Sequence, residues 1–339
     1  MSEIRHNLLT GEWAVIAPER AKRPGDLAKP KQQTEIPAYQ ESCPFCGGNE
    51  HLTTEERFRL CSDNGNWLIR SVPNKFSVLS PVGEVAPRNE PLGETVSGVG
   101  LHEVIIETPL HNRPLALFPP EHAEKLIWAY RERFRAFYAD PRIRHVILFK
   151  NHGDESGASL QHPHSQVVGL PIVPGQVHER ADAALHYHMQ NGDCLVCRMI
   201  AEEKRVGSRM VEENDVFTAF IPFAALSPFH IWIFPKQHAA CFATLEDAHL
   251  QPLTQILQTI LGKIYTSLNN PSFNFVVRSL AVKDAGATYF HWYISIIPRV
   301  GKAAGFELGT GMYVNPSIPE TSAQFLREAS PPPVTSSQE

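Results

Sequence analysis

Apolar residues fall at strand-like spacing through most of this chain and at helical spacing in two stretches. A Thr-Gly turn between residues 5 and 16 leads into Trp13-Ala14-Val15-Ile16, the pattern of a hairpin. Trp67 to Val72, Leu101 to Glu107 and Arg144 to Phe149 read as strands, and the apolar run Val167 to Val173 as a buried one. Between them Leu126, Ile127, Tyr130, Phe134 and Phe137 recur at intervals of three and four, so residues 121 to 139 form an amphipathic helix whose aromatic face covers a sheet. The second half places strands at Phe217 to Pro222, His230 to Phe234, Phe273 to Arg278 and His291 to Ile297. Its helix carries Leu253, Ile256, Leu257, Ile260, Leu261 and Ile264 on one side, with Thr244 as the expected cap. Residues 25 to 41, rich in Pro, Lys and Gln, read as a flexible connection, residues 80 to 100 as a mobile excursion and residues 330 to 339 as a disordered tail.

The two halves repeat one order: a C-x-x-C pair, a strand ending at a histidine, a helix, a strand and a histidine-bearing strand. From His111 to His162 is 51 residues and from His238 to His291 is 53, and a difference of two keeps the same strand face. The expected fold is therefore α+β: residues 1–178 and 179–329 as similar half-domains from an internal duplication, each an antiparallel sheet covered by a helix, the sheets joined edge to edge.

At 339 residues, 42% hydrophobic and 20% charged, the chain is a globular protein with room for two units. A formal charge of -5 supplies no basic field for nucleic acid, and no apolar stretch approaches the roughly 20 residues of a membrane span. With no apolar leader at its N-terminus, the default expectation is a cytoplasmic enzyme. Four of the six cysteines form the pairs Cys43/Cys46 and Cys194/Cys197, which in such a chain favours metal over disulfide, whereas Cys61 and Cys241 read as structural. Cys43-Pro44-Phe45-Cys46-Gly47-Gly48 has the form of a zinc knuckle but supplies two of four tetrahedral ligands. Each half can complete a set: Cys43, Cys46, His111 and His162 in the first, Cys194, Cys197, His238 and His291 in the second. Four protein ligands leave no open position, so two structural zinc ions per chain are expected and no organic cofactor.

The centre of the chain is His162-Pro163-His164-Ser165-Gln166, entering the buried strand from a small-residue loop. Alternation puts His162, His164 and Gln166 on one wall, two imidazoles beside an amide. This stretch closely resembles the signature of the histidine-triad superfamily and, within it, the galactose-1-phosphate uridylyltransferase branch. Hydrolases of that superfamily carry a third histidine where this chain has Gln166, and the transferase branch carries glutamine. The resemblance implies that His164 is the nucleophile, taking a nucleotidyl group from a nucleoside-diphosphate sugar, with Gln166 donating to a non-bridging oxygen.

The resemblance runs from the Trp13 strand to Asn315-Pro316. It implies that Arg20 and Arg23 hold the acceptor phosphate, where a guanidinium fork suits phosphate oxygens. It implies that Asn74 and Phe76 lie by the base and ribose, and that Asn151 and Ser159 donate to the donor's phosphates. The element beginning Gly305-Phe306-Glu307 is implied beside the donor's sugar or base, and it looks like the version in ADP-glucose phosphorylases and short bacterial uridylyltransferases. Common family members bind a different metal through clustered histidines in the second half; Ser295 stands where one of those would be, which disfavours iron. Family members pair as homodimers. Uridylyl transfer from UDP-glucose to a hexose 1-phosphate, with ping-pong kinetics, is the leading expectation. The alternatives are ADP-glucose phosphorolysis, a zinc-stabilised binding protein without turnover and a slow hydrolase.

Overall fold

The computed structural model describes residues 1–20, 36–301 and 303–333. The first half contributes β1 (Glu3–His6), β2 (Trp13–Ile16), β3 (Phe58–Cys61), β4 (Trp67–Pro73), β5 (Pro87–Glu90), β6 (Gly93–Val96), β7 (Leu101–Ile106), α1 (Pro120–Phe137), β8 (His145–His152) and β9 (His164–Leu170). The second contributes α2 (Gly175–Asn191), α3 (Leu195–Val206), β10 (Met210–Glu213), β11 (Phe217–Phe220), β12 (Ile231–Pro235), α4 (Leu250–Ser267), β13 (Phe273–Arg278), β14 (Tyr293–Pro298), α5 (Gly305–Thr310), β15 (Tyr313–Asn315) and α6 (Pro319–Glu328).

Ten strands form one antiparallel sheet in the order β10-β11-β12-β14-β13-β8-β9-β7-β4-β3. Its midpoint is the β13–β8 pairing, from Phe273 opposite His152 to Val277 opposite Leu148, so the two halves join edge to edge as expected. Central strands bury both faces, which explains near-continuous apolar runs such as Ile231–Pro235. Helices α1 and α4 cover one face, where Leu126, Tyr130 and Phe134 share a core with Leu253, Ile256 and Ile260. Gly169 lets α1 approach closely: a Cβ there would stand 2.9 Å from Phe137 Cδ1. On the opposite face lie two smaller cores, one with Cys43, Phe45, Cys46 and Val104, the other with Cys194, Trp232, Phe234 and Tyr293. The N-terminal hairpin docks on the second half, with β2 pairing parallel to β15 and the Arg5 guanidinium donating to Phe223 O and Glu320.

Several local expectations change. Thr244 does not cap α4: it closes a single 3-10 turn, its hydroxyl donating to Cys241 O at 2.7 Å, and α4 starts at Leu250. Residues 80–100 contain the exposed two-stranded hairpin β5–β6. The glycine-rich segment after residue 304 is the helix α5, closed by Gly311 at φ 69°. His162 and His291 sit in the loops just before β9 and β14. Helix α2, not foreseen, runs across residue 178; only Arg180 and Ala184 are buried along it, so it carries almost no apolar period. Residues 330–333 lie against α4, where Thr266 Oγ1 donates to Ser330 O. The connection at 25–41 falls largely outside the described residues, as do positions 334–339 of the tail. Among the described residues no helix is long and apolar enough to cross a membrane.

Candidate active site and metal clusters

The nucleophile motif is held by hydrogen bonds on both sides of β9. His164 is 5% exposed, and its Nδ1 donates to His162 O at 2.8 Å, which leaves the Nε2 lone pair free. Burial pushes its pKa below the ordinary histidine value, keeping the imidazole neutral and nucleophilic. The carbonyl that orients the ring belongs to His162, whose own Nε2 donates to Thr108 O at 2.8 Å. That arrangement turns His162 Nδ1 toward Cys46 Sγ, 3.7 Å away, with His111 Nδ1 3.4 Å from the same sulfur. Cys43, Cys46, His111 and His162, all buried, thus present their ligand atoms within 4.8 Å of one another.

His164, Gln166, Ser159, Asn74 and Phe76 line one cavity of about 390 Å³ with Phe45 and Val104. Gln166 Oε1 lies 2.8 Å from His102 Nε2, and His102 Nδ1 accepts from the Val78 N–H, so His102 carries its proton on Nε2 and donates it to the glutamine. With its oxygen engaged, the Gln166 amide keeps its N–H groups for a ligand. His102 escaped the sequence reading; its signal was its place two and four residues before Val104 and Ile106 on the inward face of β7. The Lys150–Glu107 pair was also missed. Lys150 Nζ donates to Glu107 Oε2 at 2.7 Å and to His164 O at 3.1 Å, and Tyr130 donates to Glu107 Oε1 at 2.7 Å. A lysine inside the apolar run of β8 was the available clue. Burial pushes the Glu107 carboxyl up, but Lys150 and the hydroxyls of Ser165 and Tyr130 bring it below the usual carboxylate range.

The other expected contacts divide. Asn151 accepts from Asn274 Nδ2 at 2.8 Å and is not among the residues lining the His164 cavity. Glu307 lines a different cavity, Arg20 is its electrostatic neighbour, and Phe306 is exposed on the same short helix. Arg23 lies outside the described residues. In the second half Cys194, Cys197 and His238 form a cluster, with His238 Nδ1 3.5 Å from Cys197 Sγ and its Nε2 donating to Ala287 O. His291 is fully buried with its ring centroid 5.3 Å from that of His238, close to the 5.4 Å between His111 and His162. Its Nδ1, however, faces Trp292 O and its Nε2 is unpartnered, so the three-residue cluster does not include it. Burial pushes the Cys43 thiol up to about 11, and the Cys197 thiol holds Cys194 down to about 5. Both donor sets combine soft thiolates with imidazoles, His162 and His238 having their other ring nitrogen fixed by a carbonyl, and suit a tetrahedral ion such as zinc.

Residues 203–302 match the model of the HIT domain, and the fold and site define a histidine-triad nucleotidyltransferase. Residues 1–174 match the model described as galactose-1-phosphate uridyl transferase, N-terminal domain, and the chain belongs to that family. ADP-glucose phosphorylase of Arabidopsis thaliana is 36% identical, over 97% of this chain and 93% of that protein. Galactose-1-phosphate uridylyltransferase of Thermotoga maritima is 27% identical, over 97% of this chain and 98% of that one. The solved structure of the Arabidopsis thaliana phosphorylase with bound ADP-glucose superposes with a TM-score of 0.82 at 33% identity, covering 97% of this chain and 99% of that chain. A uridylyltransferase structure gives a TM-score of 0.74 at 27% identity, covering 96% and 97%.

Proposed function

We propose that this chain transfers a nucleotidyl group from a nucleoside-diphosphate hexose through a covalent intermediate on His164. The observation that carries this is the geometry of that ring: Nδ1 committed to the His162 carbonyl, Nε2 free, Gln166 beside it in the same cavity. In the first half-reaction Nε2 attacks the α-phosphorus; an N–P bond forms, the bridging P–O bond breaks, and hexose 1-phosphate leaves with the bridging oxygen. In the second, an oxygen of a phosphate-bearing acceptor attacks the same phosphorus and the imidazole departs neutral. Gln166 donates to a non-bridging oxygen during both transfers, with Ser159 beside it. Asn74 and Phe76 border the nucleoside, and Arg20, Arg23 and Asn151 contact phosphates.

For the donor and acceptor, the greater identity to the Arabidopsis phosphorylase supports ADP-glucose with free phosphate. UDP-glucose with a hexose 1-phosphate, galactose 1-phosphate above all, is supported by the family model and the uridylyltransferase relatives. We read both metal clusters as structural zinc sites, with His291 as fourth ligand of the second. Residues 1–178 carry the first cluster and the nucleophile, and 179–329 the second. The six free cysteines fit a reducing, cytoplasmic setting. Neither Arg20 nor residues 305–307 line the His164 cavity of their own chain, which supports a homodimer in which a second copy completes the site.

The test is single-turnover labelling with UDP-glucose and ADP-glucose carrying label at the α-phosphate. Acid-labile label on the chain is expected from one donor and is lost at least about 10⁴-fold in His164→Ala. Discharge by phosphate selects the phosphorylase, and discharge by galactose 1-phosphate the uridylyltransferase. No label from either donor on zinc-loaded protein sinks the covalent mechanism.

A further inference from the structure

The second half contains the counterpart of the His164 cavity. In the first half Gln166 pairs with Val104 on one side and Phe149 on the other; in the second, Ser295 pairs with Trp232 and Val276. That register puts Tyr293 where His164 stands, Ser295 at Gln166, Arg278 at Asn151 and His230 at His102. The parallel extends to a hydrogen bond: His230 Nε2 lies 2.8 Å from Ser295 Oγ, as His102 Nε2 lies 2.8 Å from Gln166 Oε1.

Arg180, Ser227, His230, Arg278, Tyr293 and Ser295 line a cavity of about 280 Å³ there, with room for a tetrahedral oxyanion and an organic group behind it. Two of its cations, Arg180 and Arg278, lack a carboxylate partner among the described residues. Arg180 is 8% exposed, its Nη1 donates to Gln176 O at 3.3 Å and Oε1 at 3.2 Å, its guanidinium reaches the Tyr293 phenol, and its Nε has no partner. Among the described residues neither Arg180 nor Arg278 is paired with a carboxylate within salt-bridge distance. The Trp232 indole N–H donates to His230 Nε2, so the histidine's proton sits on Nδ1, another buried donor without a partner. The remaining charges are Arg299, bonded to Asn274; Glu307, spent on the N–H groups of Ala304 and Val314; and Glu12, whose Oε2 is unpartnered. Two guanidiniums without a carboxylate at ion-pair distance thus line the cavity, with Glu12 as the acidic neighbour of Arg278. Buried donors of this kind carry a desolvation cost unless something satisfies them.

We propose that this cavity binds a phosphate group, held by Arg278 and Arg180, as a second ligand site distinct from the His164 cavity. A phenol stands in the nucleophile's place and the one imidazole among the described residues lining the cavity, His230, has its Nε2 engaged by Trp232 and Ser295, so the site binds without forming a nucleotidyl-imidazole. The shared chemistry is a phosphate oxyanion, either inorganic phosphate or the phosphate of a small phosphorylated compound.

Equilibrium dialysis of the zinc-loaded protein with labelled inorganic phosphate, without donor, tests this. In Arg278→Gln one phosphate-binding event is expected to weaken at least tenfold, while the rate of labelling at His164 by saturating nucleotide sugar stays as in wild type. Ser295→Glu, which places a carboxylate in the cavity, is expected to abolish the same event; phosphate raises the melting temperature of wild type by more than that of this variant, whose melting curve also reports its folding. Glucose 1-phosphate displacing the label at lower concentration than unlabelled phosphate assigns an organic phosphate, and the reverse order assigns the free ion. Phosphate binding unchanged in Arg278→Gln and Ser295→Glu, or label that none of these compounds displaces, overturns the proposal.

Discussion

Behind the nucleophile strand the two halves are built from opposite materials. Lys150 and Glu107 are buried under β9 with Tyr130 and Ser165; at the equivalent places the second half has Val277, Pro235 and Ile294. The same sheet geometry is therefore stable without charges, and the ionic layer in the first half serves something other than the fold. What it touches points to that role: Lys150 Nζ donates to the carbonyl of His164 itself, so the pair fixes the backbone of the residue we propose as the nucleophile. The strand with a phenol in place of the nucleophile needs no such anchor.

Removing one partner breaks this contrast most sharply. Lys150→Met leaves Glu107 as an uncompensated buried carboxylate, and chemical denaturation is expected to show a loss of about 3–5 kcal/mol. Adding Glu107→Leu makes the first half resemble the second and restores most of that loss. If the double variant is stable and still labels at His164 at the wild-type rate, the positioning role is wrong; a slower labelling rate at restored stability supports it.

Much of this arrangement was legible in the chain. The 51- and 53-residue intervals between histidines placed two similar units, and the structure joins them at β8 and β13 as expected. That His164 lies beside Gln166, and that Cys43, Cys46, His111 and His162 converge, was readable because their spacing is local or repeated. What stayed hidden depends on pairing across strands. His102 meets Gln166 only because β7 lies beside β9, and Arg180 of α2 meets Tyr293 only because the fold brings both to one cavity that Arg278 also lines. Helix α2 itself could not be found by its period, since it buries two side chains in five turns.

Protonation separates the halves next. His230 is held down to about 3, by burial first and then by Arg278 and Arg180, whereas its counterpart His102 is lowered by burial and has the Gln166 bond working the other way. A neutral buried histidine stabilises the fold above its unfolded pKa near 6.5, because below that value only the unfolded chain takes up the proton. The contribution is lost as pH falls toward 3, and by pH 4 the loss from His230 amounts to about 3 kcal/mol. His230→Gln is expected to flatten the stability profile between pH 7 and pH 4 by that amount, and His102→Gln by less. Urea titrations across that range check it, and equal flattening in both variants would refute the assignment.

The smallest expected effect concerns the two metal clusters, and it separates holding shape from holding the nucleophile. All four residues of the first cluster are buried, and His162 links it to chemistry twice: by a ring nitrogen toward Cys46 and by the carbonyl that receives His164 Nδ1–H. In the second cluster Cys197 is only half-buried, and the residue corresponding to His164 is Tyr293. From zinc-loaded protein a chelator is therefore expected to empty the second cluster first, with little change in labelling at that stage. Cys46→Ser is expected to slow labelling about 10–100-fold, the usual cost of disturbing a group that orients a reacting ligand. Cys197→Ser should cost at least tenfold less. Equal losses from the two variants, at matched metal content, would mean that the first cluster acts through global stability, and that His162 aims His164 without help from the ion.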